Sequence, residues 1–277
     1  MNLPGTATAL TVQRTARVSL SQTHVATRHD SISTGADHAL RHLRAPPVIS
    51  GAGSEVHHGQ QSLLQDVCNG TSSCVEERRV KPQVQLSSRT YRVHLGKHNI
   101  KLNEDGSIAI SPEKIIIHEN YDSKKIRNDI ALIKLSTPVK FSNTIMPACL
   151  PSSGEILPHG APCYVTGWGR MWTGGPLSNT LQQALLPVVD HSTCSRSDWW
   201  GSVVTTDMLC AGGDGLVASC NGDSGGPLNC QNADGSWGVH GVVSFGSSLS
   251  CNYEQLPSVF TRVSAYMSWI NNVMTKN

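Results

Sequence analysis

The stretch Cys220-Asn221-Gly222-Asp223-Ser224-Gly225-Gly226-Pro227-Leu228-Asn229-Cys230 decides how this chain is read. A serine stands between an aspartate and two glycines, with a cysteine at each end of the run. A serine hydroxyl is a weak nucleophile that needs a base and a place for developing negative charge. Glycines allow the tight turns that aim several backbone N–H groups at one point. The amides of Gly222 and Ser224 are therefore candidates for an oxyanion hole, the donor pair that holds a tetrahedral acyl-transfer intermediate. A plain polar turn between strands would explain an isolated Gly-Asp-Ser-Gly. It does not explain the longer Gly-Asp-Ser-Gly-Gly-Pro-Leu string inside its two-cysteine frame, so Ser224 is the candidate nucleophile.

Outward from this motif, the chain reads as short strands separated by turns. Tyr91, Val93 and Leu95 alternate with polar residues, as do Ile108 and Ile110, which is the period of a half-buried strand. Short apolar runs at 115–117 and 130–133 are bounded by turn residues, as barrel strands are. Further strands are predicted at 163–166, 182–189, 208–210, 227–229, 238–245 and 258–263. Val263, Tyr266, Met267, Ile270 and Met274 fall at helical spacing, which predicts a C-terminal helix. The 25 glycines and 14 prolines among 277 residues suit such a turn-rich fold. A formal net charge of +2 supplies no electrostatic argument for nucleic acid. No apolar run approaches the roughly 20 residues of a membrane span. Nine cysteines imply an oxidising compartment. Their spacing contains no CxxC pair of the zinc-ribbon kind. The odd count leaves at least one thiol unpaired, or paired with another chain.

The motif resembles that of the chymotrypsin-like serine proteases of the trypsin family, and the likeness extends along the chain from about Ser88 to the end. Asn128-Asp129-Ile130-Ala131-Leu132-Ile133-Lys134-Leu135 is similar to the family's aspartate segment. Pro162-Cys163-Tyr164-Val165-Thr166-Gly167-Trp168-Gly169 is similar to its mid-chain strand and turn. Ser244-Phe245-Gly246 resembles the substrate-binding strand. Pro257-Ser258-Val259-Phe260-Thr261-Arg262-Val263, with Trp269-Ile270, resembles the last strand and C-terminal helix. Residues 188–196 and 198–201 resemble the chymotrypsin C and pancreatic elastase branch of that family.

The resemblance implies an all-β fold of two antiparallel six-stranded barrels with the active site in the cleft between them, followed by a C-terminal helix. It divides the chain into an atypical, disordered segment 1–87 and a protease domain 88–277. Within that domain, 88–150 is the remnant of an incomplete first barrel, 151–263 the second barrel and 264–275 the helix. It implies a digestive-type endopeptidase acting on proteins and peptides, without cofactor or metal, secreted and monomeric. Asp129 would orient and stabilise the general-base imidazole, as in the worked triad of this family, and Ser244 would hydrogen-bond Asp129. Ala218 and Ser219 would form the base of the specificity pocket, with Gly246 and Ser258 on its walls and Ser244 beside it. None of these is charged, and Gly246 leaves the entrance open, so a bulky uncharged P1 residue is expected. Asp223 would act as the activation switch by pairing with a new N-terminal ammonium. The implied disulfides are Cys163–Cys230, Cys194–Cys210 and Cys220–Cys251. Cys149 would bridge to the propeptide, leaving Cys68 and Cys74 as its candidates here, unless those two pair with each other. Lys97 stands where many relatives place a calcium-ligating carboxylate, and a cation there opposes Ca²⁺.

The N-terminal part follows the family pattern less well. Residues 1–60 show neither a helical nor a strand period, and their six histidines match no ligand spacing. Arg14 and Arg17 interrupt the opening apolar stretch, so no signal peptide is expected. Asn69-Gly70-Thr71 is a glycosylation sequon. No basic activation site precedes Val56. The family carries its base in an Ala-His-Cys type segment about 45 residues before the aspartate; counting back from Asp129 reaches Val84-Gln85-Leu86-Ser87, and no Ala-His-Cys occurs in the chain. A non-catalytic protease homologue, or a truncated or mis-assembled product, therefore stands as the alternative reading.

Overall fold

The computed structural model describes residues 10–12, 25–27 and 91–277. The described fold is mostly β. Strands β1 (Leu10–Val12), β2 (Val25–Thr27), β3 (Val93–Leu95), β4 (Ile108–Ile110), β5 (Pro112–Ile117) and β6 (Ala131–Leu135) come first. They are followed by β7 (Pro162–Gly167), β8 (Gln182–Val189), α1 (His191–Cys194), β9 (Met208–Ala211) and β10 (Val217–Ser219). The chain ends with β11 (Pro227–Gln231), β12 (Trp237–Phe245), β13 (Ser258–Arg262) and α2 (Met267–Lys276). A closed antiparallel barrel runs in the order β11-β12-β13-β9-β8-β7. The earlier strands form a β1-β6-β5 sheet and a β3-β4 pair.

The barrel follows from the strand patterns. Along β8 the even-numbered Ala184, Leu186 and Val188 are buried while Gln183, Leu185 and Pro187 are exposed, the period of two that a barrel wall requires. Val165, Leu186, Leu228, Val243 and Phe260 fill the interior. Seven of the nine residues of β12, Gly238 to Ser244, are buried, because this part of the strand has no solvent face. Val243 points into the barrel, whereas Val239 and Val242 pack with Ile130, Leu132, Val263, Tyr266 and Ile270. This second cluster welds the early strands to the barrel. A third, of Val93, Leu95, Ile133, Leu135, Val139 and Ile145, is the core of the early half. Helix α2 closes against that half through Trp269, whose Nε1 donates to Glu119 Oε2 at 2.8 Å.

Several elements depart from the sequence expectations. The last strand stops at Arg262, and a 3₁₀ turn over Val263–Ala265 precedes α2. Ile108 is exposed on the short β4. Strands β1 and β2 lie in a segment expected to be without structure. Each is three residues long, too short to show a period, and each is defined by backbone pairing to an edge: β1 to β6 and β2 to β10. Such edges carry unpaired N–H and C=O groups that accept almost any extended partner.

Three disulfides join Cys163 to Cys230, Cys194 to Cys210 and Cys220 to Cys251, the pairs the resemblance implies. The first crosses registered positions of β7 and β11. Its loop spans 67 residues, and long closed loops remove the most freedom from the unfolded chain. Cys149 is exposed and forms no disulfide among the described residues; Cys68, Cys74 and the Asn69 sequon lie outside them. Buried Lys97 donates to the Leu102 carbonyl, and its Nζ lies 3.6 Å from Glu104 Oε2. The two Glu104 oxygens also accept from the amides of His98 and Asn99, so this loop contains its own cation. Among the described residues no group of His, Cys, Asp and Glu converges as a metal site, and no helix is long and apolar enough to cross a membrane.

Candidate active site

Ser224 is exposed on a turn that leads into β11. Asp223 N–H donates to the Cys220 carbonyl and Gly226 N–H to the Asp223 carbonyl, each at 2.9 Å. Gly222 and Gly225 have φ of 102° and 89°, values that side chains rarely tolerate. The turn is fastened to β12: Gly225 N–H donates to Val243 O, and Val243 N–H to Gly226 O, both at 2.9 Å.

Asp129 sits just before β6 and is 2% exposed. Ser244 Oγ donates to Asp129 Oδ2 at 2.7 Å, and Thr261 Oγ1 donates to the Asp129 carbonyl at 2.8 Å. One strand thus brings the candidates together: Val243 holds the serine turn, and the next residue, Ser244, holds the aspartate. Asn128, at φ 50°, precedes Asp129. Tyr266 OH lies 3.1 Å from Asn128 Oδ1 and 2.9 Å from Asp207 Oδ2. Burial, then the Asp207 charge, push the Tyr266 phenol above its ordinary range, so it remains a donor. Tyr266→Phe strips a half-buried amide oxygen and a half-buried carboxylate of this donor. It is expected to lower stability by about 1–3 kcal/mol, read as a shift in the urea midpoint; an unchanged midpoint would show that the bond has no net worth.

Asp223 is fully buried. Its Oδ2 accepts from Cys220 N–H at 2.8 Å and its Oδ1 from Gly169 N–H at 3.3 Å. Burial raises its pKa to about 9, partly opposed by the Cys220 amide.

Ala218 and Ser219 are buried on β10, immediately before Cys220, and Ser258 is buried at the start of β13. Ser219 donates to Ser258 Oγ twice, from Oγ at 2.8 Å and from N at 3.0 Å. The hydroxyls therefore satisfy one another, and the region carries no charge. Gly246 is exposed, and a Cβ added there would meet nothing within 4 Å. Beside it, Phe245 meets Trp200 edge-on at 5.3 Å, and Trp200 Nε1 donates to the Pro257 carbonyl at 2.9 Å. An aromatic pair 45 positions apart leaves no local signal in the sequence.

Of the described histidines, His118 packs against Trp269 and Tyr266, His159 lies 3.2 Å from Asp190, His240 is buried in β12 and His94 is exposed on β3. The six histidines of residues 1–60 lie outside the described residues.

A closed antiparallel barrel, a serine on a glycine turn and a buried Asp–Ser pair define a serine endopeptidase of the chymotrypsin type. The trypsin family model matches residues 72–270, and the chain belongs to this family. The match starts upstream of Ser88, so the family likeness begins earlier than the quoted motifs show. Chymotrypsin-C of Rattus norvegicus is 58% identical over 183 residues, 66% of this chain and 68% of the relative. Chymotrypsin-C of Bos taurus is 57% identical over 213 residues, covering 76% and 80%. Chymotrypsin-like elastase family member 1 of Bos taurus is 51% identical over 193 residues, covering 69% and 72%.

Proposed function

We propose that Ser224 is the acylated nucleophile of this endopeptidase and that Asp129 orients its base. The Ser224 oxygen would attack the scissile carbonyl while its proton passes to the base imidazole. The amides of Gly222 and Ser224 would hold the oxyanion, and the same proton would leave with the amine as the C–N bond breaks. Water then returns the acyl group as an acid. The observation that carries this reading is the β12 junction, where Val243 binds the serine turn and Ser244 binds Asp129 at 2.7 Å. Prolonged treatment with a fluorophosphonate, followed by peptide mapping, tests it. Ser224 should be modified in preference to every other serine; modification elsewhere would overturn the assignment.

The pocket of Ala218, Ser219, Gly246 and Ser258 would take a bulky uncharged P1 side chain such as Leu or Phe. Burying such a side chain contributes about 1.5–3 kcal/mol. Gly246→Val fits the backbone without a clash but narrows the entrance. It should reduce the preference for a Leu-ended over an Ala-ended peptide by about tenfold or more. Titration of both peptide amides checks this, and an unchanged preference would show that Gly246 does not border the pocket. The three disulfides support a secreted protein; the reading takes it as a monomer that acts on proteins, with residues 88–277 in its protease domain. The absence of an Ala-His-Cys segment favours a second reading, a homologue that binds peptides without cleaving them.

A further inference from the structure

We propose that Thr173 is a specificity-determining residue that holds the base of the P1 pocket in place from a neighbouring hairpin. The inference rests on the pocket assigned above. Residues 170–177 form a hairpin closed by Met171 N–H donating to Pro176 O at 3.1 Å and Gly175 N–H to Trp172 O at 2.8 Å. The Trp172 ring lies directly over Gly175: a Cβ there would come within 2.6 Å of it. Arg170 also donates a guanidinium hydrogen to the Gly175 carbonyl. The hairpin is therefore braced by its own contacts.

It touches the site in two places. At its base, Arg170 N–H donates to Asn221 O at 2.9 Å, one residue before Gly222 of the serine turn. At its tip, Thr173 Oγ1 accepts from Cys251 N–H at 2.9 Å and lies 3.3 Å from Ser250 Oγ. The directions of the remaining bonds are set by the available protons. Ser250 Oγ donates to Asn252 Oδ1 at 2.8 Å, so its own oxygen is left to accept from the Thr173 hydroxyl. Asn252 Nδ2 then donates to the Gly215 carbonyl at 2.9 Å. Gly215 stands two residues before β10, the strand of Ala218 and Ser219. Cys251 is bonded to Cys220, the next residue after that strand. Thr173 thus starts a directed relay that runs through Ser250 and Asn252 to the segment carrying the pocket base.

A methyl group can replace the Thr173 hydroxyl in shape but can neither accept from Cys251 nor donate to Ser250. Thr173→Val should release segments 213–217 and 247–252 together, and Thr173→Ser should hold them. The first measurement is backbone hydrogen exchange of the intact protein and both variants. The second is titration with the acetyl-Ala-Ala-Pro-Leu and acetyl-Ala-Ala-Pro-Ala amides. In the Val variant the Cys251 amide and residues 213–217 should exchange faster. Its preference for the Leu peptide should fall by about two- to tenfold, the worth of one or two exposed hydrogen bonds, while the Ser variant stays close to the parent. Unchanged exchange and unchanged preference in the Val variant would overturn the proposal, as would faster exchange spread evenly through β8 and β13. If the parent protein shows no Leu preference, the pocket reading falls and, with it, the specificity role of Thr173; exchange would then decide the clamp alone, faster rates at Cys251 and 213–217 supporting it.

Discussion

Asp223→Asn is expected to stabilise this protein increasingly as pH rises from about 4 to about 9. In the folded chain burial lifts the Asp223 pKa to about 9. In the unfolded chain the same carboxyl titrates near 3.9. Below about pH 4 both states hold the proton, and the group contributes nothing to the pH dependence. Between the two values the unfolded chain has released the proton and the folded chain retains it. The unfolded state then binds fewer protons, so stability falls as pH rises, by at most about 1.4 kcal/mol per unit. Asparagine keeps an oxygen for the Cys220 amide but cannot ionise. At pH 8 the variant should be more stable than the parent by several kcal/mol, and at pH 4 nearly equal to it. Denaturant unfolding of both proteins at a series of pH values reads the difference, from which the other titrating groups cancel. Parallel curves would mean that Asp223 already has a cationic partner. A cation delivered to this carboxylate would reverse the penalty, which is the physical basis on which we propose Asp223 as a switch.

The second large effect concerns the base. Hydrolysis of a Leu-P1 peptide ester by the chain as it stands is expected to be only residual, roughly 10³–10⁴ over water, the level an oxyanion hole and binding sustain without a working triad. The expectation rests on the spacing before Asp129. Counting back about 45 residues from Asp129, the spacing the family's pattern implies, reaches Val84-Gln85-Leu86-Ser87, which holds no histidine. Asp129, Gly222, Asp223, Ser224 and Ser244 are all present after it. A chimera in which a family-type N-terminal segment with an activation start and an Ala-His-Cys loop replaces residues 1–87 should gain several orders of magnitude, since removing a triad member costs about that much.

What the sequence made legible was whatever is encoded locally or by a long exact motif. The serine turn is one continuous string with glycines where the backbone needs them. Strand β8 reads as a strand from its local run of residues, and its bounds matched the expectation, although its alternating burial shows only in the fold. The Asp129–Ser244 contact and the three disulfides are long-range. They were reached through the resemblance, because nothing local connects positions 115 apart. The rest was hidden for physical reasons. Strands β1, β2 and β10 are three residues each and are defined by backbone pairing alone. The hairpin tip at Thr173 meets Cys251 across 78 positions through a single hydroxyl. The strained Asn128 looks ordinary in sequence; only the fold shows that Tyr266 reaches it.

The most direct test of the whole account is one assay on three proteins: steady-state hydrolysis of the Leu-P1 ester by the intact chain, by the chimera, and by the chimera with Ser224→Ala. The account predicts residual turnover, turnover at a rate normal for the family, and a return to residual turnover, in that order. A full rate from the intact chain would show that one of its own histidines serves as base. A chimera that stays inactive, or that keeps its rate without Ser224, would contradict the assignment of the site itself.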